Sequence, residues 1–268
     1  LSFSIPVTFK VKSGASVGTY PIKATTASHN EPSFVQRTKA TNNLVDETAE
    51  KMGHDNKVEN SYSAYTTGNS PVNVVYATKL NGSTAGRKNE NDNWSNISNF
   101  AVEKGGRPQM KATIQNEGNT SFSSVRLYDI LPSPEDNRGS TGQISFGGLE
   151  SVAGAKIYYT TKPVADLPDY ETNLQEWDTT KLASYGFTTT QPTDISKVTA
   201  IFIDFGNTLV EPNSSLNTVL DFLIPNADNQ KAINQFQYSA KEEGSGTILN
   251  AKSDSIPFST EVAQINFN

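Results

Sequence analysis

Gln109–Pro132, QMKATIQNEGNTSFSSVRLYDILP, is the stretch whose reading decides the fold. In Met110–Gln115 the apolar residues Met110, Ala112 and Ile114 alternate with Lys111, Thr113 and Gln115, the period of a half-buried strand. From Ser121 to Ile130 a second alternation runs through Phe122, Val125 and Leu127. It is broken once, at Ser123-Ser124, as a bulge would break it. Gly118 and Asn119 adopt positive φ at low cost, so the two runs read as a ribbon joined by a tight hairpin. Pro132 has no N–H for a ladder and ends the second strand.

Similar runs recur at Phe3–Val11, Thr19–Thr25, Val58–Tyr65, Val72–Leu80, Ala155–Thr160, Lys197–Phe205, Leu216–Ile224 and Ile233–Ala240. Turn residues such as Gly68-Asn69-Ser70, Asn81-Gly82, Gly147-Gly148 and Pro225-Asn226 separate them. Short strands punctuated in this way predict a sandwich. Helix candidates are few: Asn43–Met52, and a turn or two within Leu174–Ser184. Asp55–Pro71 resembles Asn229–Gly246, each with Lys, Asn, aromatics, Ser-Ala and a glycine-bearing turn. The pairing predicts two tandem β-sandwich modules, the tail of one over residues 1–72 and a complete one, with insertions, over 73–268.

The chain has 268 residues and a formal net charge of -6, with no dense basic block to offset it, so a nucleic-acid partner is not expected. It has no cysteine, which removes disulfides, thiolate metal sites and thiol nucleophiles. Of the two histidines, His29 and His54, neither neighbours a nucleophile elbow, and both lie in polar sequence. Carboxylates are plentiful, but spacing alone selects no glycosidase pair. No apolar run approaches the length needed to cross a bilayer. The chain opens at Leu1 inside a strand-like pattern with no signal peptide, so it is expected to be a piece of a longer protein.

Val102–Pro132 resembles the repeated β-sandwich modules of Gram-positive cell-wall-anchored surface proteins and adhesins, which run strand, Asn-x-Gly-Asn, strand, Asp-x-Leu-Pro. Here those elements are Asn116, Gly118, Asn119, Asp129, Leu131 and Pro132. Ala155–Pro163 (AKIYYTTKP), Ile195–Pro225 and Ile233–Ala240 continue in the order of such modules, so the resemblance spans roughly Val74–Ala240. It implies a large, extracellular, wall-attached parent. This chain has no Leu-Pro-x-Thr-Gly motif, so the anchor would lie outside it. Proteins of this kind sometimes carry a Lys–Asn amide cross-link between first and last strands, promoted by a buried acid. The resemblance makes Lys79 and Asn234 the candidate pair, with Asp129 or Asp204 as the acid.

Two further kinds of site are open. The oxygen-rich loops Asn89–Asn96 and Pro134–Gly142, with Asp92, Asp136 and Asn137, are candidates for Ca2+, although the same residues serve plain turns. Trp94 and Trp177 are flanked by polar residues and are candidates for stacking on a sugar, against ordinary core packing. The expectation is therefore an all-β chain of tandem immunoglobulin-like or related adhesin-type antiparallel β-sandwich modules, without catalysis and without a resident cofactor. It would serve as adhesin or stalk, meeting a host matrix protein, a glycan or neighbouring modules through loops such as Asn81–Ser98 and Pro132–Gly142. The alternative is a carbohydrate-binding accessory module of an extracellular enzyme.

Overall fold

The computed structural model of the chain describes residues 15–27, 65–74, 78–97, 100–150 and 152–260. His29, His54, the run Phe3–Val11, the helix candidate Asn43–Met52 and most of the first copy of the internal similarity lie outside them. Two units are present, divided between Val75 and Tyr76. In the first, β1 (Gly18–Ala27) and β2 (Tyr65–Val74) pair antiparallel in unbroken register, from Gly18 opposite Val74 to Ala27 opposite Tyr65.

The second unit contains β3 (Leu80–Arg87), β4 (Phe100–Val102), β5 (Gln109–Asn116), β6 (Phe122–Ile130), β7 (Ser145–Leu149), β8 (Lys156–Thr160) and β9 (Ala200–Asp204). It continues with β10 (Ser215–Leu223), β11 (Lys231–Asn234), β12 (Phe236–Glu242), β13 (Ile248–Lys252) and β14 (Ile256–Thr260). They form a four-stranded sheet β3-β5-β10-β7, a five-stranded sheet β13-β12-β6-β9-β8 and a three-stranded sheet β11-β14-β4. Among these described strands every pairing is antiparallel except β14 with β4. The all-β class is therefore as the alternation patterns require.

The deciding stretch folds differently from a hairpin. β5 pairs with β3 and β10, whereas β6 pairs with β12 and β9, so Asn116–Ser121 carries the chain from one sheet to the other. The alternation sets only which face is apolar. Here the two apolar faces look at each other across the core: Met110, Ala112 and Ile114 from β5, Val125 and Leu127 from β6. The side chain of Asn116 builds the crossing. Its amide donates to the carbonyls of Thr120 (2.7 Å) and Val210 (2.8 Å), and its Oδ1 accepts from the Gly118 N–H at 2.9 Å. This side-chain turn replaces the hairpin geometry, and neither Gly118 nor Asn119 takes positive φ. The break at Ser123-Ser124 is a bulge: Ser124 sits at φ 50 and the register against β12 shifts between Ser239 and Lys241.

Asn81-Gly82, a turn signal in sequence, lies inside β3. Glycine is required there by packing, because a Cβ on Gly82 would collide with the ring of Tyr238. Phe146, Phe222, Phe236, Phe258, Ile201 and Ile203 fill the space between the sheets, each at or below 1% exposure. Burial of each such side chain stabilises the fold by about 2 kcal/mol before entropy is counted. The five-stranded sheet is buried on its other face too. The segment between β8 and β9 folds over it, with 3-10 turns at Val164–Asp166, Leu174–Glu176 and Ile195–Lys197 and one short helix, α1 (Thr179–Ser184). Leu167, Tyr170, Leu174, Trp177, Leu182 and Phe187 from this cover pack on Tyr128, Ile130, Ala200 and Phe202 of the sheet.

Candidate functional site

Alternation along β6 sends Tyr128 and Ile130 into the outer cover and Asp129 between the sheets. Asp129 is 0% exposed and faces Asn234, also 0% exposed, at the end of β11. The Asn234 amide donates to Asp129 Oδ2 at 2.9 Å and to the Met110 sulfur at 3.2 Å. Asp129 Oδ1 and Asn234 Oδ1 are left without donors. Burial pushes the Asp129 carboxyl up to about 7, against the opposing pull of the Arg138 guanidinium and the Asn234 amide. A proton on the carboxyl supplies the donor that two orphan oxygens lack, so the neutral acid is the form that suits this interior.

Of the four residues expected to make an amide cross-link, the structure brings together two. Asp129 and Asn234 meet in the core. Lys79 precedes β3 at the surface, its side chain 67% exposed and its ammonium 2.6 Å from Glu117. Asp204 lies at the end of β9, 3.5 Å from Arg126. The position against Asn234 that an amine would need is held by Met110, which has no nucleophilic nitrogen.

Beside this core the loop after Pro132 is tied down by one carboxylate. Asp136 accepts from the N–H groups of Ser133 (3.1 Å) and Arg138 (2.8 Å), from the Ser140 hydroxyl (2.6 Å) and from the Arg138 guanidinium (3.1 Å). Arg138 also donates to the carbonyls of Ile130 (2.6 Å) and Gln235 (3.0 Å) and to the Tyr170 hydroxyl (3.0 Å). Burial works against the charge of Arg138, but Tyr170, Asp136 and Asp129 outweigh it and hold its pKa above the usual value. Both Asp136 oxygens are thus engaged in closing the loop. Asp92 is in a separate segment, bonded to the Asn89 amide at 2.7 Å. Among the described residues no three His, Asp or Glu side chains gather to hold a metal. Asn137 lines a shallow cleft of about 350 Å3 with Arg138, Asp169, Tyr170, Glu171 and Lys252.

The two tryptophans part company. Trp177 is 2% exposed, stacked on Phe202 at 5.5 Å and packed against Tyr128 at 4.8 Å, so it is core and presents no face to a sugar. Trp94 is half-buried on the four-stranded sheet, with the Arg87 guanidinium 4.4 Å and the Lys111 ammonium 5.1 Å from its ring. Nothing in the sequence marked Met110 as the partner of Asn234 or Arg138 as a clamp. Met110 showed itself only as an apolar strand position, and Arg138 as one charge in a turn-rich loop.

No family model matches the chain, and no curated protein matches it. Among solved structures, the C-terminal domain of the AgI/II polypeptide BspA of Streptococcus agalactiae aligns with 90% of this chain and 83% of its own, at 12% identity and TM-score 0.36. The C-terminal domain of the antigen I/II-family protein AspA of Streptococcus pyogenes covers 74% of this chain and 60% of its own, at 12% identity and TM-score 0.35. BcpA, the major pilin subunit of Bacillus cereus, covers 69% of this chain and 40% of its own, at 6% identity and TM-score 0.33. None of these likenesses bears on a residue named above.

Proposed function

We propose that this chain is a non-catalytic segment of a bacterial cell-surface protein, serving as adhesin or stalk, with modules over 1–72 and 73–268. The observation that carries the reading is the enclosure of Asp129. It is the one carboxyl among the described residues pushed up toward neutrality, the property a general acid needs, and it is sealed between sheets at 0% exposure. Its hydrogen-bond partner is the Asn234 carboxamide, itself buried at 0% exposure, so no face of the carboxyl meets solvent. Clefts at the surface are lined by loop residues together with Phe100, Ala101 and Val102 of β4, Ile130 of β6 and Lys252 of β13.

Backbone partners on three of the sheet edges support the same reading, since a module displayed singly in solvent must not pair with its neighbours. The edge of β3 exchanges both backbone bonds with Ser95 from Gly86 (2.7 and 2.9 Å). The edge of β8 exchanges both with Thr188 from Tyr159 (2.8 and 3.0 Å). The edge of β11 is closed by the Thr141 N–H on the Lys231 carbonyl (2.8 Å) and the Ser140 hydroxyl under the Ile233 N–H (2.9 Å). No helix among the described residues is long and apolar enough to cross a membrane.

Trp94, partly exposed and flanked by two cations, favours one second reading, a carbohydrate-binding module. A panel of immobilised host matrix proteins beside a glycan array separates them. Saturable binding to a matrix protein that survives Trp94→Ala supports the adhesin. Glycan binding abolished by Trp94→Ala supports the carbohydrate module, and turnover of an arrayed glycan contradicts both.

A further inference from the structure

Asp254 lies between β13 and β14, 170 residues after Thr84 of β3. Its Oδ1 accepts from the Thr84 N–H at 2.6 Å and from the Thr84 hydroxyl at 2.8 Å. Its Oδ2 accepts from the Asn96 amide at 2.7 Å, and the same amide nitrogen donates to the Thr84 carbonyl at 2.8 Å. The Asp254 N–H reaches the Gly82 carbonyl at 3.3 Å. Thr84 is 2% exposed, so both of its donors depend on this carboxylate rather than on water. One aspartate thereby ties the first described strand of the second unit to the connection that opens its last described strand.

The direction of the two segments gives this tie a mechanical meaning. Gly82 and Thr84 meet Asp254, while Gly86, further along β3, lies under Ile256 and Phe258 of β14. A Cβ on Gly86 would come within 2.8 Å of Ile256 Cδ1 and 3.3 Å of Phe258 Cε1. The segments therefore ascend together. Tension entering before β3 and leaving after β14 pulls them along their length in opposite senses. Bonds between them are then loaded together in shear, rather than opened one at a time as at a hairpin end. The chain has no cysteine, so no disulfide shares the load.

We propose that Asp254 is a mechanical latch, holding β3 and β14 of the second unit against end-to-end tension. The inference rests on the surface-segment reading, since tension along the chain is what such a segment meets. Its side-chain bonds are short and charge-assisted, so they resist small displacements steeply. Breaking them frees β3 to slide and exposes the Gly86–Phe258 contact.

Constant-force spectroscopy on the whole chain tests it. The wild type and Asp254→Ala are held by their two ends, then by thiol handles at Gln115→Cys and Lys156→Cys, a geometry that bypasses the β3–β14 contact. End-to-end, Asp254→Ala is expected to unfold about tenfold faster or more at a given force. In the second geometry the change should be no larger than the variant's equilibrium destabilisation explains. Equal changes in both geometries, or none end-to-end, overturn the latch. If Asp254→Ala does not fold, Thr84→Val and Asn96→Ala each remove part of the network, and each should give a smaller change of the same kind. Failure of cell-surface display would sink the functional reading and leave the force data standing.

Discussion

The substitution Asp129→Asn should stabilise the protein at neutral pH. The native carboxyl sits at about 7, against an ordinary value of 3.8. Below pH about 4 both folded and unfolded chains are protonated there, and the group makes no difference. Between about 4 and 7 the native state holds a proton that the unfolded chain releases, so stability falls as pH rises. Above about 7 the loss is complete. At about 1.4 kcal/mol for each pH unit, the full loss is about 4 kcal/mol. The substituted carboxamide would carry no such penalty, and its N–H would supply the donor that Asn234 Oδ1 lacks. Urea unfolding of both proteins from pH 4 to 8 measures this. Near-equality is expected at pH 4, with a gap widening to about 4 kcal/mol in favour of the variant at pH 8. Parallel profiles, or a variant less stable than wild type at pH 8, would refute the neutral-acid description and favour an ionised Asp129 held by Asn234 and Arg138.

The unmodified chain should show the full mass of its sequence, because Met110 and not a lysine stands against Asn234. In Met110→Lys, attack of the new amine on the Asn234 carboxamide carbon would form one C–N bond and break another, with Asp129 passing the proton to departing ammonia. The folded variant should then lose the mass of one ammonia, and an unchanged mass would contradict the geometry. Trp177→Ala should cost about 3–5 kcal/mol in urea unfolding, as a buried aromatic does, and an unchanged midpoint would place that ring at the surface. Gly82→Ala should cost about 1–3 kcal/mol through collision with Tyr238, with part recovered by adding Tyr238→Leu; a neutral Gly82→Ala would mean the ring is free to move.

Strand content was legible wherever apolar residues alternate. Met110, Ala112 and Ile114 announced β5, and the pause at Ser123-Ser124 announced the bulge of β6. Their pairing was not legible, because a period of two says which residues share a face and nothing about the neighbouring strand. Asn116 decided it through bonds to Val210, a residue distant in sequence. β3 was hidden by its glycines, whose purpose appears only when Tyr238 and Ile256 lie above them. β13 and β14 are five residues each and lack a sustained apolar alternation, so they were not among the runs named as strands. At the candidate site, Asp129 and Asn234 were legible as a pair through the family resemblance. Lys79 was not their neighbour: the run Val72–Leu80 reaches only the first residue of β3, and Lys79 precedes that strand at the surface, against Glu117. The polar flanks of Trp177 suggested exposure, yet the fold of residues 161–199 over the five-stranded sheet buries it. Local polarity does not report what a distant segment will cover.

Whether this chain stands outside the cell as a non-enzymatic module is tested most directly by labelling. Antibodies raised against the folded chain should decorate intact, unpermeabilised cells of the source organism, and brief surface proteolysis should strip the signal. Labelling that appears only after permeabilisation would contradict it.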